Sequence, residues 1–217
     1  MLVDIWSDVV CPWCYLGKRR MEAALEQFEH RDAVEIHWHS FELDPQAGPS
    51  SDAGGAERLA AKYGMTVEDA RARQAQLEEM AAAEGLEYHL DRTRGGNSFA
   101  AHRLHQLAID RGLSDAVMER LMHAYFTDGE AIDDPEALLR LVTEAGLDAD
   151  EARAVLDSDR YTEEVRTDEA TAARIGIRGV PFFVLGRRFG VSGAQTPDIM
   201  LEALEKAWEE TEAGAAA

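Results

Sequence analysis

The chain has 217 residues, with 22 Lys and Arg against 42 Asp and Glu, a formal net charge of −20. That balance argues against a nucleic-acid partner, which needs a basic footprint, and against an anionic membrane surface. No apolar run approaches the ~18 residues of a membrane span, and a hydrophobic content of 46% suits one large domain, or one domain with an insertion.

Leu2-Val3-Asp4-Ile5-Trp6 reads as a short buried strand. Met1 precedes it directly, with no basic n-region and no long apolar h-region, so a cytoplasmic location is expected. Thiols stay reduced there and structural disulfides are rare. The strand feeds Cys11-Pro12-Trp13-Cys14, which holds both cysteines of the chain. A C-x-x-C at a strand-to-helix step, without other cysteines, points to thiol–disulfide chemistry.

The spacing has a physical use. Pro12 suits the first helical position, which puts Cys11 at or near the N-cap and Cys14 about one turn later on the same side. Their Cα atoms would lie roughly 5–6 Å apart, within disulfide reach. Unpaired backbone N–H groups and the positive end of the helix dipole favour a thiolate at Cys11. C-x-x-C thiols titrate at about 3.5–7.5 instead of about 8.5. Cys14, inside the first turn, is expected to be the more buried and less reactive thiol. Cys11 is then the attacking thiolate and Cys14 the resolving thiol. Zinc is a competing reading, but it wants four ligands and a second C-x-x-C is absent, so His37 and His39 would have to complete the set. No metal is expected. Two inert core cysteines fit no better, because Pro-Trp between them at a helix start is not a packing pattern.

A helix is predicted from Cys11 to about His30, with Leu16, Met21, Ala24, Leu25 and Phe28 near helical spacing. From Ala33 to Leu43 the period becomes two, with Val34, Ile36 and Trp38 on one face and Glu35, His37 and His39 on the other. These 43 residues read β-α-β, with parallel strands and a right-handed connection. Asp44 to Gly55 is a Pro-, Gly- and Ser-rich linker. From Ala56 to about Gly176 short helices follow one another. Thr66 opens one in capping-box fashion, ended by Gly85, and Asn97-Ser98 caps one running to about Asp110. Ser114 caps the next, which closes near Gly129. Asp134-Pro135 starts another, stopped by Gly146. Asp148 to Leu156 and Arg160 to Ile175 complete the block.

At Gly179 the β texture returns. Val180 to Leu185 is a strand opened by proline, and a turn at Gly186-Arg187 leads into a second strand, Arg188 to Val191. Thr196-Pro197-Asp198 caps a last helix to about Glu210, and Thr211 to Ala217 is expected to fray. Neither end holds enough strands to stand alone, so both must share one sheet. The expected fold is α/β, β-α-β … α-β-β-α. Residues 1–50 and 159–217 form the two parts of one domain, and residues 51–158 form an inserted helical domain.

Several stretches carry a resemblance: Ser7-Asp8-Val9-Val10-Cys11-Pro12-Trp13-Cys14-Tyr15-Leu16-Gly17, Phe41-Glu42-Leu43 with Pro45, Asn97-Ser98-Phe99 with Ala101-His102-Arg103-Leu104, and Gly179-Val180-Pro181-Phe182-Phe183. With them the chain resembles, over essentially its whole length, the thioredoxin fold of the DsbA family, and within it the FrnE subgroup of cytoplasmic oxidoreductases. The resemblance implies a protein disulfide oxidoreductase acting on a disulfide- or thiol-containing protein or small molecule. It implies no bound cofactor, with glutathione entering at most as a co-substrate. It also implies a cis peptide at Val180-Pro181 lying against the C-x-x-C, where the residues alone suggest an ordinary trans proline at a strand start. Nothing in the sequence sets an oligomeric state.

The same resemblance makes Val180, Pro181, Asn97, Phe99 and His102 the candidate substrate contacts. A basic pair, His102 and Arg103, facing Cys11 would lower its pKa. On the residues alone Asn97 is an N-cap, Phe99 a core residue and His102 a satisfied histidine. Asp8 is a turn residue, with proton acceptor for Cys14 as its alternative role. Pro12-Trp13, in place of the Pro-His of strongly oxidising DsbA proteins, implies a less oxidising potential. Two other readings stay open. Kappa-class glutathione transferases and 2-hydroxychromene-2-carboxylate isomerases are similar in layout but carry a serine where this chain has Cys11. The third is a chaperone-like binding module with incidental cysteines.

Overall fold

Strand β1 (Leu2–Ser7) has partners on both sides. The computed structural model describes residues 1–215, with side chains through Thr211. Strand β2 (Glu35–Ser40) runs parallel to β1, from Leu2 opposite Glu35 to Ser7 opposite Ser40. Helix α1 (Pro12–Gln27) makes the connection, as a parallel pair requires. On the other side β3 (Phe182–Leu185) pairs antiparallel with β1, Phe183 opposite Ile5, and β4 (Phe189–Ser192) closes a hairpin. The order β2-β1-β3-β4 joins both ends of the chain in one mixed sheet.

Alternation along β1 sends Val3, Ile5 and Ser7 to one face and Asp4 and Trp6 to the other. The first face carries α1 and α9 (Pro197–Ala215), which pack against each other and bury Leu16, Met21, Met200 and Leu204. Gly17 lets α1 approach closely: a Cβ there would stand 2.9 Å from Cγ of Pro181 and 3.4 Å from Cζ of Phe183. On the second face, Ala172 of α8 (Thr162–Ile175) and Ile177 pack on Trp6, flanked by Phe41, Val180, Phe182 and Val184.

Some expected boundaries move. Phe28 turns extended and ends α1 before His30, and a short 3-10 turn, Arg31–Ala33, leads into β2. Of the apolar face expected on β2 only Trp38 is buried. Ile36 is 40% exposed, because β2 is an edge strand. Helix α9 runs past Glu210 to Ala215; residues 216–217 of the tail expected to fray lie outside the described residues. Among the described residues no helix is long and apolar enough to cross a membrane.

Met1–Leu43 and Arg166–Ala217 make one compact unit and Asp44–Val165 a second. The second contains α2 (Gly55–Tyr63), α3 (Val67–Ala83), α4 (Phe99–Asp110), α5 (Ser114–His123), α6 (Pro135–Glu144) and α7 (Ala149–Leu156). Leu104 and Leu107 of α4, Met118 and Leu121 of α5, and Leu138 and Leu141 of α6 are buried. The caps at Thr66, Asp134 and Asp148 form, each oxygen satisfying N–H groups of the first turn. Ser114 departs from expectation. It is the first helical residue, not the cap, and its hydroxyl pairs with Nε2 of His105 at 2.9 Å. Helix α5 ends at His123 and passes into a π turn, Ala124–Asp128. The linker after Leu43 goes whole with the helical unit instead of dividing at residue 50. Its backbone is anchored there, the Ser50 N–H donating to Asp133 (2.6 Å) and the Ser51 N–H to the Arg94 carbonyl (2.9 Å). The other boundary falls inside α8, after its first turn.

Candidate active site

Beyond Ser7 the chain turns into α1 through a loop pegged by Asp8. This carboxylate is fully buried. It accepts the Val10 N–H (3.4 Å) on Oδ1 and the Leu43 N–H (2.7 Å) on Oδ2, while its carbonyl accepts the Cys11 N–H (3.1 Å). A short acidic side chain that gathers nearby backbone donors is a turn former. Asp8 therefore ties the loop after β1 to the segment after β2, and both its carboxylate oxygens are engaged in that work.

Cys11 is the N-cap of α1, with extended backbone (φ −92°, ψ 111°) and Pro12 following at the first helical position. Its carbonyl accepts the N–H groups of Cys14 (2.9 Å) and Tyr15 (3.4 Å). Its side chain makes no capping bond; the thiol donates instead to the Val180 carbonyl at 3.5 Å. The Val180–Pro181 peptide is cis, and the Pro181 ring lies over Gly17, one turn past Cys14. Cys11, Val180 and Pro181 are thus neighbours, brought together from residues 169 apart in sequence.

Cys11 and Cys14 are both thiols, and each is only 2% exposed. The expectation that Cys14 would be the more buried is corrected here, because the Val180 carbonyl covers Cys11 as well. Burial pushes the Cys14 thiol well above the usual range, helped by the hydrogen bond and charge of Cys11, and the Asp8 N–H and Ser7 hydroxyl only partly offset this. Cys14 is the thiol that keeps its proton. Trp13, at 42% exposure, is the open part of the motif.

Two further ionic groups belong to this unit. After β2, the buried carboxylate of Glu42 pairs with Arg166 of α8 at 2.5 Å, and the Glu42 N–H donates to Glu169 (3.3 Å). This holds the segment that presents the Leu43 N–H to Asp8. On the sheet face opposite α1, His39 lies between Asp4 and Asp168, 2.8 Å from each, and stacks on Trp6 at 4.3 Å. Burial opposes its positive charge, but hydrogen bonds and charge from Asp168 and Asp4 outweigh that, and its pKa is raised. His37 is exposed and pairs with Glu35 at 2.8 Å. Both histidines weighed as zinc ligands are engaged by carboxylates, and no cluster of three metal-ligating side chains occurs among the described residues.

The remaining candidates lie in the helical unit. Asn97 accepts the Phe99 N–H (2.9 Å) and donates to the Pro45 carbonyl (3.4 Å). The Phe99 ring lies under the Arg103 guanidinium, 5.9 Å away. His102 is fully buried. Arg103 is engaged by the backbone of its own unit. It donates to the carbonyls of Val155, Ser158 and Arg160, the last at 2.8 Å. The structure thus gathers Cys11, Pro12, Trp13, Cys14, Val180 and Pro181 in one unit, and Asn97, Phe99 and His102 at the start of α4 in the other. Asp8 was legible as a turn residue, Ser7 only as a flanking one. The signal for them is a serine and an aspartate placed where a strand becomes buried loop.

Residues 2–205 match the model of the DSBA-like thioredoxin domain, and the chain belongs to that family. A probable DsbA oxidoreductase from Streptomyces coelicolor is 46% identical, with 97% of this chain and 91% of that one covered and a TM-score of 0.91. A 2-hydroxychromene-2-carboxylate isomerase shares the fold at 21% identity, with all of both chains covered and a TM-score of 0.73. So does the cytosolic disulfide reductase DsbM from Pseudomonas aeruginosa, solved with GSH, at 19% identity, 96% and 100% coverage and a TM-score of 0.64. The chain thus has a DSBA-like thioredoxin domain, a fold it shares with these solved structures.

Proposed function

We propose that the protein is a thiol–disulfide oxidoreductase in which Cys11 exchanges with substrate and Cys14 resolves. In the oxidising direction a substrate thiolate attacks the Cys11 sulfur of the Cys11–Cys14 disulfide. That bond breaks, and Cys14 leaves as a thiolate that takes up a proton. A second substrate thiolate attacks the substrate sulfur of the mixed disulfide and releases Cys11 as a thiolate. The substrate departs as a disulfide and the enzyme holds its two electrons. Reduction is the same sequence reversed.

One observation carries this reading. Cys11 occupies the N-cap of α1, its thiol against the Val180 carbonyl, and Cys14 follows one turn later as the thiol that keeps its proton. Val180 and Pro181, beside Cys11, are the substrate contacts of the same unit on this reading. Asn97, Phe99 and His102 are the further candidate contacts that the family resemblance implies. The DsbM neighbour, cytosolic and solved with GSH, supports a cytoplasmic setting of the FrnE type and glutathione as a co-substrate.

A redox titration in glutathione buffers tests it, with the intramolecular disulfide scored by alkylation and mass shift. A reversible transition between about −120 and −270 mV is expected. The isomerase neighbour, aligned over the whole of both chains, keeps one second reading in view, a glutathione-dependent isomerase or transferase. That enzyme would form no intramolecular disulfide at any poise, would carry glutathione on Cys11, and would tolerate Cys14→Ser. These three results together would overturn the dithiol mechanism.

A further inference from the structure

We infer that Ser7 is a positioning residue for the resolving thiol, its hydroxyl donating a hydrogen bond to the Cys14 sulfur whenever that sulfur carries negative charge. The inference rests on the dithiol reading above and deepens it.

Ser7 is the last residue of β1 and shares the face of Val3 and Ile5, the face that α1 covers. It is fully buried. Its carbonyl is used, accepting the Phe41 N–H at 3.1 Å, but its hydroxyl oxygen is buried without a hydrogen-bond partner. A buried hydroxyl left unpaired is costly, and each such group in a folded protein asks for an explanation. Cys14, also buried, in the first turn of α1, is the group whose charge this hydroxyl favours. Ser7 and the Asp8 N–H are the two donors that favour the charged form of that sulfur. With the thiol protonated the Ser7 donor is idle; with a thiolate there it is used.

The exchange chemistry makes such a thiolate in both directions. Charge appears on Cys14 as it leaves when substrate attacks Cys11, and before it attacks when it resolves the mixed disulfide. A thiolate in a buried site without donors would be strongly disfavoured. Donors available beside it lower that cost at the moment the charge develops. Ser7 forms no covalent bond and transfers no proton in this role, so the stoichiometry of the exchange is unchanged.

The test uses the full chain in two forms. With Cys11→Ser, Cys14 is titrated alone by thiolate ultraviolet absorbance. In the dithiol chain, release of glutathione from a Cys11–glutathione mixed disulfide is followed against pH. Ser7→Ala should raise the Cys14 titration by about one pH unit and slow glutathione release at least about tenfold, the scale of one hydrogen bond to a charged group. Ser7→Thr, which keeps the hydroxyl, should restore both. A Ser7→Ala chain with a lower melting temperature but unchanged Cys14 titration and unchanged pH profile would overturn the inference and leave Ser7 as packing. If the dithiol chain forms no intramolecular disulfide, the oxidoreductase reading fails, while the single-cysteine titration still decides whether Ser7 senses the charge on Cys14.

Discussion

The two units bury their polar groups in different ways. In the thioredoxin-like unit Ser7, Asp8, Ser40 and Glu42 are buried at or just beyond the ends of β1 and β2. These are the carboxyl ends of a parallel strand pair, where α/β sheets place their ligand sites. There Asp8 gathers N–H groups from two loops and Glu42 steadies one of them from α8. In the helical unit Thr93, Ser98, His102, Arg103 and His105 are buried. Where their partners are seen, these link one segment of the block to another: Arg103 to the end of α7 and its following loop, His105 to the start of α5. Buried polarity thus holds a reactive loop in one unit and ties helices together in the other.

Breaking the helical side of this comparison should have the largest effect on stability. Arg103→Met keeps much of the packing volume but leaves three buried or half-buried carbonyls without their donor. Hydrogen bonds to charged groups contribute about 1.5–3 kcal/mol each, with strong overlap when one group makes several, so a loss of roughly 2–4 kcal/mol is expected. Denaturant unfolding measures it. At temperatures where the variant is still folded, its Cys11–Cys14 redox potential should match that of the parent. A shifted potential would mean that Arg103 acts on the thiols after all.

On the thioredoxin side, Gly17→Ala sharpens the contrast because it disturbs the site by one methyl group. That group would stand 2.9 Å from Pro181, so the Pro181 segment or α1 must shift. Overpacking of this kind costs about 1–3 kcal/mol. Here the redox potential and exchange rate should change along with stability, because the Val180 carbonyl that meets the Cys11 thiol moves with Pro181. Equal destabilisation without a redox effect would show that the close approach serves packing alone.

The contrast also sets how much could be read from the sequence. Helix starts such as Thr66, Asp134-Pro135 and Asp148 were legible because a cap is a local event, decided within four residues. The C-x-x-C at a strand–helix step and the β-α-β frame were legible for the same reason. Ser114 misled because an equally local pattern was overridden by a tertiary partner, His105. Asp8, Glu42 and Arg103 took their meaning from partners 35, 124 and 57 residues away. No spacing rule reaches that far. The pairing of His39 with Asp4 and Asp168 was hidden in the same way, since it depends on the register of β1 against β2 and on where α8 lies against the sheet.

That last group yields the smallest expected effect and one with a definite sign. Burial works against a charged His39, but Asp168 and Asp4 overcome it and its folded-state pKa is raised. A histidine that binds its proton more tightly when folded adds stability while it is protonated. The contribution is fully present below the unfolded value of about 6.5 and is lost as pH rises through the higher folded value. The urea midpoint of the native chain should therefore fall as pH is raised through this window. The measure is the difference between the native chain and His39→Gln. The variant keeps a hydrogen-bonding group between the two carboxylates but carries no charge there. Its midpoint should lie closest to that of the native chain at the alkaline end and furthest below it at the acid end. A difference that is constant with pH would assign His39 a packing role against Trp6 and no electrostatic one.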